Sequence, residues 1–388
     1  MSRNVVICCD GTANEFARHN TNVVKLYSAL AHDPARQVTY YHPGLGTMEP
    51  AGALTTFARK ITKLLGMAVG YGLANDIRDA YVFLMNNFQE DDKLFLFGFS
   101  RGAYTVRAVA SLLHMYGLIR PGNEPLVPYA IRMMMGIERA RRDETGRSAE
   151  VGEYFGLARD FKAAMAGVDC RPWFVGVWDT VSSVGWIENP LKLPYIANNP
   201  GIEIGRHAIA IDERRAFFRN HLWRHSAESQ QASGPRDLKQ VWFAGVHCDV
   251  GGGYPESESG LAKIALEWML DEAIAAGLLV NASQRAAILG QDGNGAHVPP
   301  DPTAAAHESL SGAWHLAEYV PKKHFDYATR KEARRMNRHR RRTLPPGSHV
   351  HISVFERGED YRQRLPADVV WVKKASQAAS DQPVPQPA

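Results

Sequence analysis

The stretch KLFLFGFSRGAYTVRAVASLL, Lys93–Leu113, changes its hydrophobic period at a single serine. Up to Phe99 it is a short continuous apolar run, the pattern of a strand buried on both faces. Beyond Ser100 the apolar residues recur at helical spacing, so the chain passes from strand to helix at that residue. Runs of the same form recur on either side. NVVICC closes on DGTAN, QVTYYH on PGLGT, PWFVGVW on DTV and QVWFAGV on HCDVGGGY, and SHVHISVFER reads as a last strand. Helical patterns lie between them. Thr21 caps TNVVKLYSALAH, and Leu73, Ile77, Tyr81, Leu84 and Phe88 share one face of the next helix. Strands alternating with helices predict an α/β fold, a mostly parallel sheet with helices on both faces. Ligand sites in such sheets form at the carboxyl ends of the strands. Here those ends carry Asp10, His42, Ser100, Asp179, His247 and Asp249.

GFSRG, Gly98–Gly102, fits G-x-S-x-G, a sharp strand-to-helix turn that presents a serine nucleophile in an α/β-hydrolase-like sheet. Larger side chains two positions from the serine would collide with the backbone there. A serine hydroxyl needs a base to take its proton, and the base needs an acid to orient it. The chain order expected is Ser, Asp, His. Asp179 and His247 each close a strand, and His247 closes the next apolar strand read after Asp179, which sets the two side by side at the rim carrying Ser100. Asp249 is the alternative acid, with an Asx-type turn as its simpler role. His351 is the alternative base, and His207 and His307 read as surface or structural residues. The backbone N–H of Arg101 and that of Gly11 or Thr12 are the expected oxyanion donors. Arg101 is a cation at a helix N-terminus, an unfavourable end for it, so it is expected to pair with Asp10 or a neighbouring carboxylate, or to meet an anionic head group. Asp10, Trp178 and Trp186 are assigned to substrate binding. The two tryptophans and the insertion Glu49–Tyr71 would form an apolar acyl pocket, with the insertion as a lid.

Taken together, CDGTAN, HPGLGT, GFSRGAYTVRAVASLLHMYGLI, VWDTVSSVG, DERRAFF and VWFAGVHCDVGGGY resemble a bacterial family. It is the family of uncharacterised α/β-hydrolase domains that also forms the catalytic part of the first class of type VI secretion lipase effectors. The resemblance is dense over Asn4–Glu256 and thinner through HESLSG and HISVFERGEDYRQRLP. It implies a Ser, Asp, His esterase acting on lipid esters, with phospholipase activity in the effector members. Matched motif by motif, the nucleophile is Ser100, the acid Asp179 and the base His247.

At 388 residues and 45% hydrophobic, the chain is long enough for one large domain, expected over residues 1–375. Residues 281–348 read as a surface-wrapping segment, rich in Gly and Pro at first, and 376–388 as a disordered tail. The first residues lack a signal peptide, no apolar run approaches the ~18 residues of a membrane span, and the four cysteines show no CxxC spacing. These features predict a cytoplasmic protein, or one exported by a signal-independent system. The net charge of +4 is concentrated in the basic run Thr329–Thr343. That run lacks interleaved aromatics, so nucleic acid is not expected, whereas a solvated face or an anionic membrane contact is. The expected substrate is a lipid or small-molecule ester, with no cofactor. Two rival readings are a metal-dependent hydrolase built on Asp10, His247 and Asp249, and a hydrolase-like binding protein without turnover.

Overall fold

Eight strands lie side by side, and all the pairings between them run parallel. The computed structural model describes residues 2–11, 19–44, 68–142, 148–181, 185–186, 189–216, 218–223, 234–312, 314–326 and 331–373. The strands are β1 (Asn4–Cys9), β2 (Gln37–His42), β3 (Lys93–Phe99), β4 (Pro172–Trp178), β5 (Ile204–Ala210), β6 (Asp237–Phe243), β7 (His349–His351) and β8 (Val370–Val372). Across the sheet they run β8-β7-β6-β5-β4-β3-β1-β2. The order reverses at β1, between β2 and β3, and in open parallel sheets ligand sites form at the carboxyl ends of the strands at such a switch point.

Alternate residues of β1, β3 and β4 enter two separate cores. Val5, Ile7, Leu94, Leu96, Val175 and Val177 face one side, while Val6, Cys8, Phe95, Phe97, Phe174 and Trp178 face the other. The first side is covered by helices α2 (Ala68–Asn87), α3 (Arg101–Tyr116), α4 (Val127–Arg142) and α5 (Ser148–Met165). The predicted stripe Leu73, Ile77, Tyr81 and Leu84 on α2, with Phe88 just past its end, is part of that core. On the second side lies α1 (Asn22–Ala29), capped by Thr21 as expected from the sequence. With it pack α7 (Gly260–Ala275) and α8 (Ala282–Ile288), and the short α6 (His247–Gly251) follows β6. Continuous apolar strands are needed because both faces are dry, each fully buried Leu or Phe contributing roughly 1.5–3 kcal/mol.

The sequence reading missed β5, a central strand. Its sequence IGRHAIA is interrupted by Arg206 and His207, both buried. Arg206 is neutralised by Asp237 and Glu272, each at 2.6 Å, and His207 Nε2 accepts the Thr180 N–H at 3.1 Å. His207 is therefore structural, and burial pushes its pKa down to about 3, which keeps it neutral.

Residues 281–348 do more than wrap the surface. Asn281 caps α8 through the N–H groups of Ser283 and Gln284, and Ile288 and Leu289 enter the core. The predicted lid, Glu49–Tyr71, lies outside the described residues except for the backbone that opens α2, and the tail 376–388 lies wholly outside. No helix among the described residues is long and apolar enough to cross a membrane.

Arg107 of α3 ties the 189–223 segment to the sheet. Fully buried, it donates to Ile196 O at 3.1 and 2.6 Å and to His221 O at 2.5 Å, with its guanidinium 4.5 Å from the centre of the Trp223 ring. Methionine in its place leaves buried carbonyls without donors, so Arg107→Met is expected to cost roughly 3–5 kcal/mol. Urea denaturation measures this, and a loss below ~1 kcal/mol would show that Arg107 does not brace the segment.

Candidate active site

Ser100 sits at φ +57°, ψ −118°, between the last residue of β3 and the first of α3. That backbone is unfavourable for a residue with a side chain, and such strain collects at functional sites. It persists because the neighbours leave no alternative. A Cβ on Gly98 would stand 2.5 Å from Gly102 O, and one on Gly102 would stand 2.1 Å from Cys9 O. Both glycines of the motif are thus required by backbone approaching backbone. Ser100 N donates to Trp178 O at 3.1 Å, which locks the turn to the end of β4.

The next residue after Trp178 is Asp179, also at positive φ (+37°) and fully buried. Its N–H donates to Ala208 O at 2.7 Å, and its Oδ1 accepts the Ala210 N–H at 3.0 Å. Strand β5 therefore intervenes between the strands of Asp179 and His247, contrary to the side-by-side placement read from the sequence. The two side chains still meet, because β5 itself holds the Asp179 carboxylate over its end.

His247 opens α6. Its Nδ1 lies 2.5 Å from Asp179 Oδ2, and its Nε2 lies 2.8 Å from Ser100 Oγ. The imidazole is buried beside Phe99 and Phe218, with ring centres at 4.6 and 4.9 Å. Burial lowers the His247 pKa, and Asp179 opposes this without cancelling it. Burial alone would raise the Asp179 pKa, but Arg342 and His247 reverse that and hold the carboxyl well below its usual range. A neutral imidazole between an ionised carboxylate and a hydroxyl is an arrangement that can take a proton from the hydroxyl and return it to a leaving group.

Two further residues escaped the sequence reading. Glu213 accepts the His247 N–H at 3.2 Å, the Ser309 hydroxyl at 3.0 Å and the fork of Arg215 at 2.9 Å. It lies in DERRAFF, a motif used there for resemblance without a role. Arg342 grips Asp179 through Nη1–Oδ1 at 2.5 Å and Nη2–Oδ2 at 3.0 Å. It belongs to the basic run read as a solvated or membrane-facing surface. Arg341 likewise turns to Asp212 at 3.0 Å, so the end of the run is built into the site.

Several expected site residues take other places. Trp178 is fully buried in the core and donates to Ala265 O at 3.3 Å, so it lines no acyl pocket. The reason is register, since the last side chain of β4 points to the α7 side of the sheet. The Trp186 side chain and all of Thr12 lie outside the described residues. The Gly11 N–H donates to Asp10 Oδ1 at 2.7 Å and is not open to an oxyanion. Asp10 also accepts Thr21 Oγ1 at 2.6 Å and Tyr41 OH at 3.0 Å, so its buried carboxylate fastens the loop after β1 to α1 and β2. Arg101 is half-buried, which lowers its pKa, and the Asp76 carboxylate opposes this by favouring the charged form. Asp249 is not the partner of His247. It caps α6 through the Val246 N–H at 2.9 Å and binds His307 Nδ1 at 2.6 Å, while His307 also reaches Glu258 at 2.9 Å. His351 is buried against Phe243, with its Nδ1 at 2.8 Å from Ser353 Oγ, and it is His247 that reaches Ser100. The trio Asp10, His247 and Asp249 does not converge, and the described residues hold no group of three or more His, Cys, Asp or Glu side chains suited to a metal ion.

A family model described as "T6SS, Phospholipase effector Tle1-like, catalytic domain" matches residues 3–272. The chain belongs to this family. Ser100, Asp179, Glu213 and His247 all fall within the matched span, and Arg342 falls beyond it. Among curated proteins, the chain is similar to "Uncharacterized protein YEL023C" of Saccharomyces cerevisiae, 32% identical over 225 residues. That alignment takes in 56% of this chain and 32% of the yeast protein, so the chain matches about a third of its relative's length. Among solved structures, it is similar to an uncharacterized protein from Pseudomonas aeruginosa, with 18% identity and a TM-score of 0.43 over 75% of this chain and 48% of that one. It is also similar to the Tle1 effector bound to the VgrG spike from the Type 6 secretion system, with 18% identity and a TM-score of 0.31 over 67% and 53% of the two chains.

Proposed function

We propose that this chain is a serine hydrolase that cleaves carboxylic esters of lipids, phospholipids among them, through an acyl-enzyme. The observation that carries the reading is the unbroken chain Ser100 Oγ, His247, Asp179, with contacts of 2.8 and 2.5 Å, set at the strained turn at the carboxyl end of β3. Ser100 Oγ attacks the ester carbonyl carbon while its proton passes to His247 Nε2. Asp179 stabilises the imidazolium. Collapse of the tetrahedral intermediate expels the alcohol, which takes the proton from His247 and leaves the acyl group on Ser100. Water, deprotonated by His247, then releases the fatty acid. The Arg101 N–H, one residue after Ser100 at the positive end of α3, is the backbone donor assigned to the oxyanion. Membership in a phospholipase effector family supports a phospholipid as substrate and transfer by a signal-independent secretion system. Because strands from Asn4 to Val372 share one sheet, residues 1–375 are read as one domain.

The test is labelling by a fluorophosphonate probe, followed by fatty-acid release from short esters and phospholipid vesicles. Wild type is expected to label and His247→Ala to lose labelling and turnover. Since burial lowers the His247 pKa, the base stays neutral in mild acid, and the acid limb of kcat/KM is expected below the ordinary histidine value of about 6.5. A well-folded wild type that neither labels nor releases fatty acid would refute the proposal.

A further inference from the structure

We propose that Arg342 is a positioning residue for hydrolysis, acting through Asp179, so that a segment beyond the family-matched span completes the site; the inference rests on the function proposed above. The fork takes both carboxylate oxygens, and Oδ2 is shared between Arg342 and His247 Nδ1. Every guanidinium nitrogen is used. Nη1 also donates to Ala210 O at 3.0 Å, Nε donates to Phe218 O at 3.2 Å, and Nη2 donates to the same Phe218 carbonyl. The side chain is 7% exposed, so this is not a loose surface pair. A bidentate arginine fixes the plane of a carboxylate, and here that plane directs Oδ2 at the imidazole.

The segment is anchored by contacts of its own. Asn337 Nδ2 donates to Arg214 O at 2.8 Å, and Glu318 Oε1 accepts the Ala216 N–H at 2.6 Å. Arg341 binds Asp212, whose Oδ2 accepts the Gly245 N–H at 2.8 Å two residues before His247. Asp212, Arg214 and Ala216 are thus tied to Arg341, Asn337 and Glu318, which anchor the chain on the N-terminal side of Arg342.

Charge gives the arrangement its consequence. The groups facing the Asp179–His247 pair are Arg342, Glu213 and Arg215, with His207 and the Cys248 thiol nearby and both held neutral by burial. Glu213 is neutralised by Arg215. Arg342 is thus, with His247, what favours the ionised form of the fully buried Asp179. Without it, Asp179 takes up a proton more readily and His247 is more easily protonated. Both changes remove the active form from the acid side, so the acid limb of kcat/KM moves to higher pH.

The experiment compares wild type, Arg342→Ala and Arg342→Lys by fluorophosphonate labelling, by kcat and KM, and by the pH profile, with circular dichroism to confirm folding. Arg342→Ala is expected to lose on the order of 10- to 100-fold in kcat. Its acid limb is expected to rise by about one pH unit or more. Added guanidinium ion should restore part of the rate to Arg342→Ala and none to Ser100→Ala. Folded Arg342→Ala with the wild-type rate and acid limb would overturn the inference. If the alanine variant does not fold, Arg342→Lys decides: an intermediate rate and a raised limb support the fork, and a wild-type rate and limb overturn it. A wild type that does not label would instead count against the hydrolase reading itself.

Discussion

Alanine at position 100 is expected to lower ester turnover by about 10⁴-fold or more and to abolish fluorophosphonate labelling, with the fold unchanged. The fold should survive because the strain at Ser100 belongs to the backbone, at φ +57°, and alanine has the same Cβ as serine. What is lost is the hydroxyl that lies 2.8 Å from His247 Nε2. Residual activity would come from binding and backbone donors, so a small rate above that of water is compatible with the assignment. Turnover by Ser100→Ala within tenfold of wild type, on pure protein with a matched circular dichroism spectrum, would remove Ser100 as nucleophile.

Asparagine at position 179 should produce two losses at once. An amide can present an N–H to His247 Nδ1, which favours the tautomer whose Nε2 carries a proton and cannot accept one from Ser100. A loss of about 10³- to 10⁴-fold in kcat is expected. Arg342 would also remain buried without its counter-charge, at a cost of roughly 3–5 kcal/mol, read from urea denaturation. The second loss can be separated from the first. Arg342→Met added to Asp179→Asn should recover much of the stability, since it removes the stranded cation, and should recover none of the rate. Asp179→Asn with unchanged stability would mean that the Arg342 fork contributes nothing to the folded state, and a kcat within tenfold of wild type would displace Asp179 as the orienting acid.

The strand-to-helix turn at Ser100 was legible because its causes are local. Apolar runs of fixed length, a period change and two glycines at a spacing of four can be read without knowing what lies across the sheet. The polar strand ends were legible for the same reason, and they included Ser100, Asp179 and His247, which the fold brings together. Trp178 was misplaced as a pocket residue because alternation along a strand sets which side chains share a face, while the helix that covers each face comes from elsewhere in the chain. Strand β5 was hidden by Arg206 and His207, whose burial is tolerated only because Asp237, Glu272 and the Thr180 N–H meet them.

Sequence by itself pointed to the α/β class, the strand-to-helix turn and the polar strand ends, Ser100, Asp179 and His247 among them, since period and turn chemistry act over a few residues. Only the tertiary structure decided what surrounds them. Arg342 stands 163 residues from Asp179, in a basic run whose composition describes a solvated surface equally well. Glu213 and Asp249 are both carboxylates near strand ends, yet one holds the His247 backbone and the other binds His307. An ion pair across so long a separation leaves no period in the sequence, because its partners are matched by the packing of the sheet and not by their neighbours in the chain.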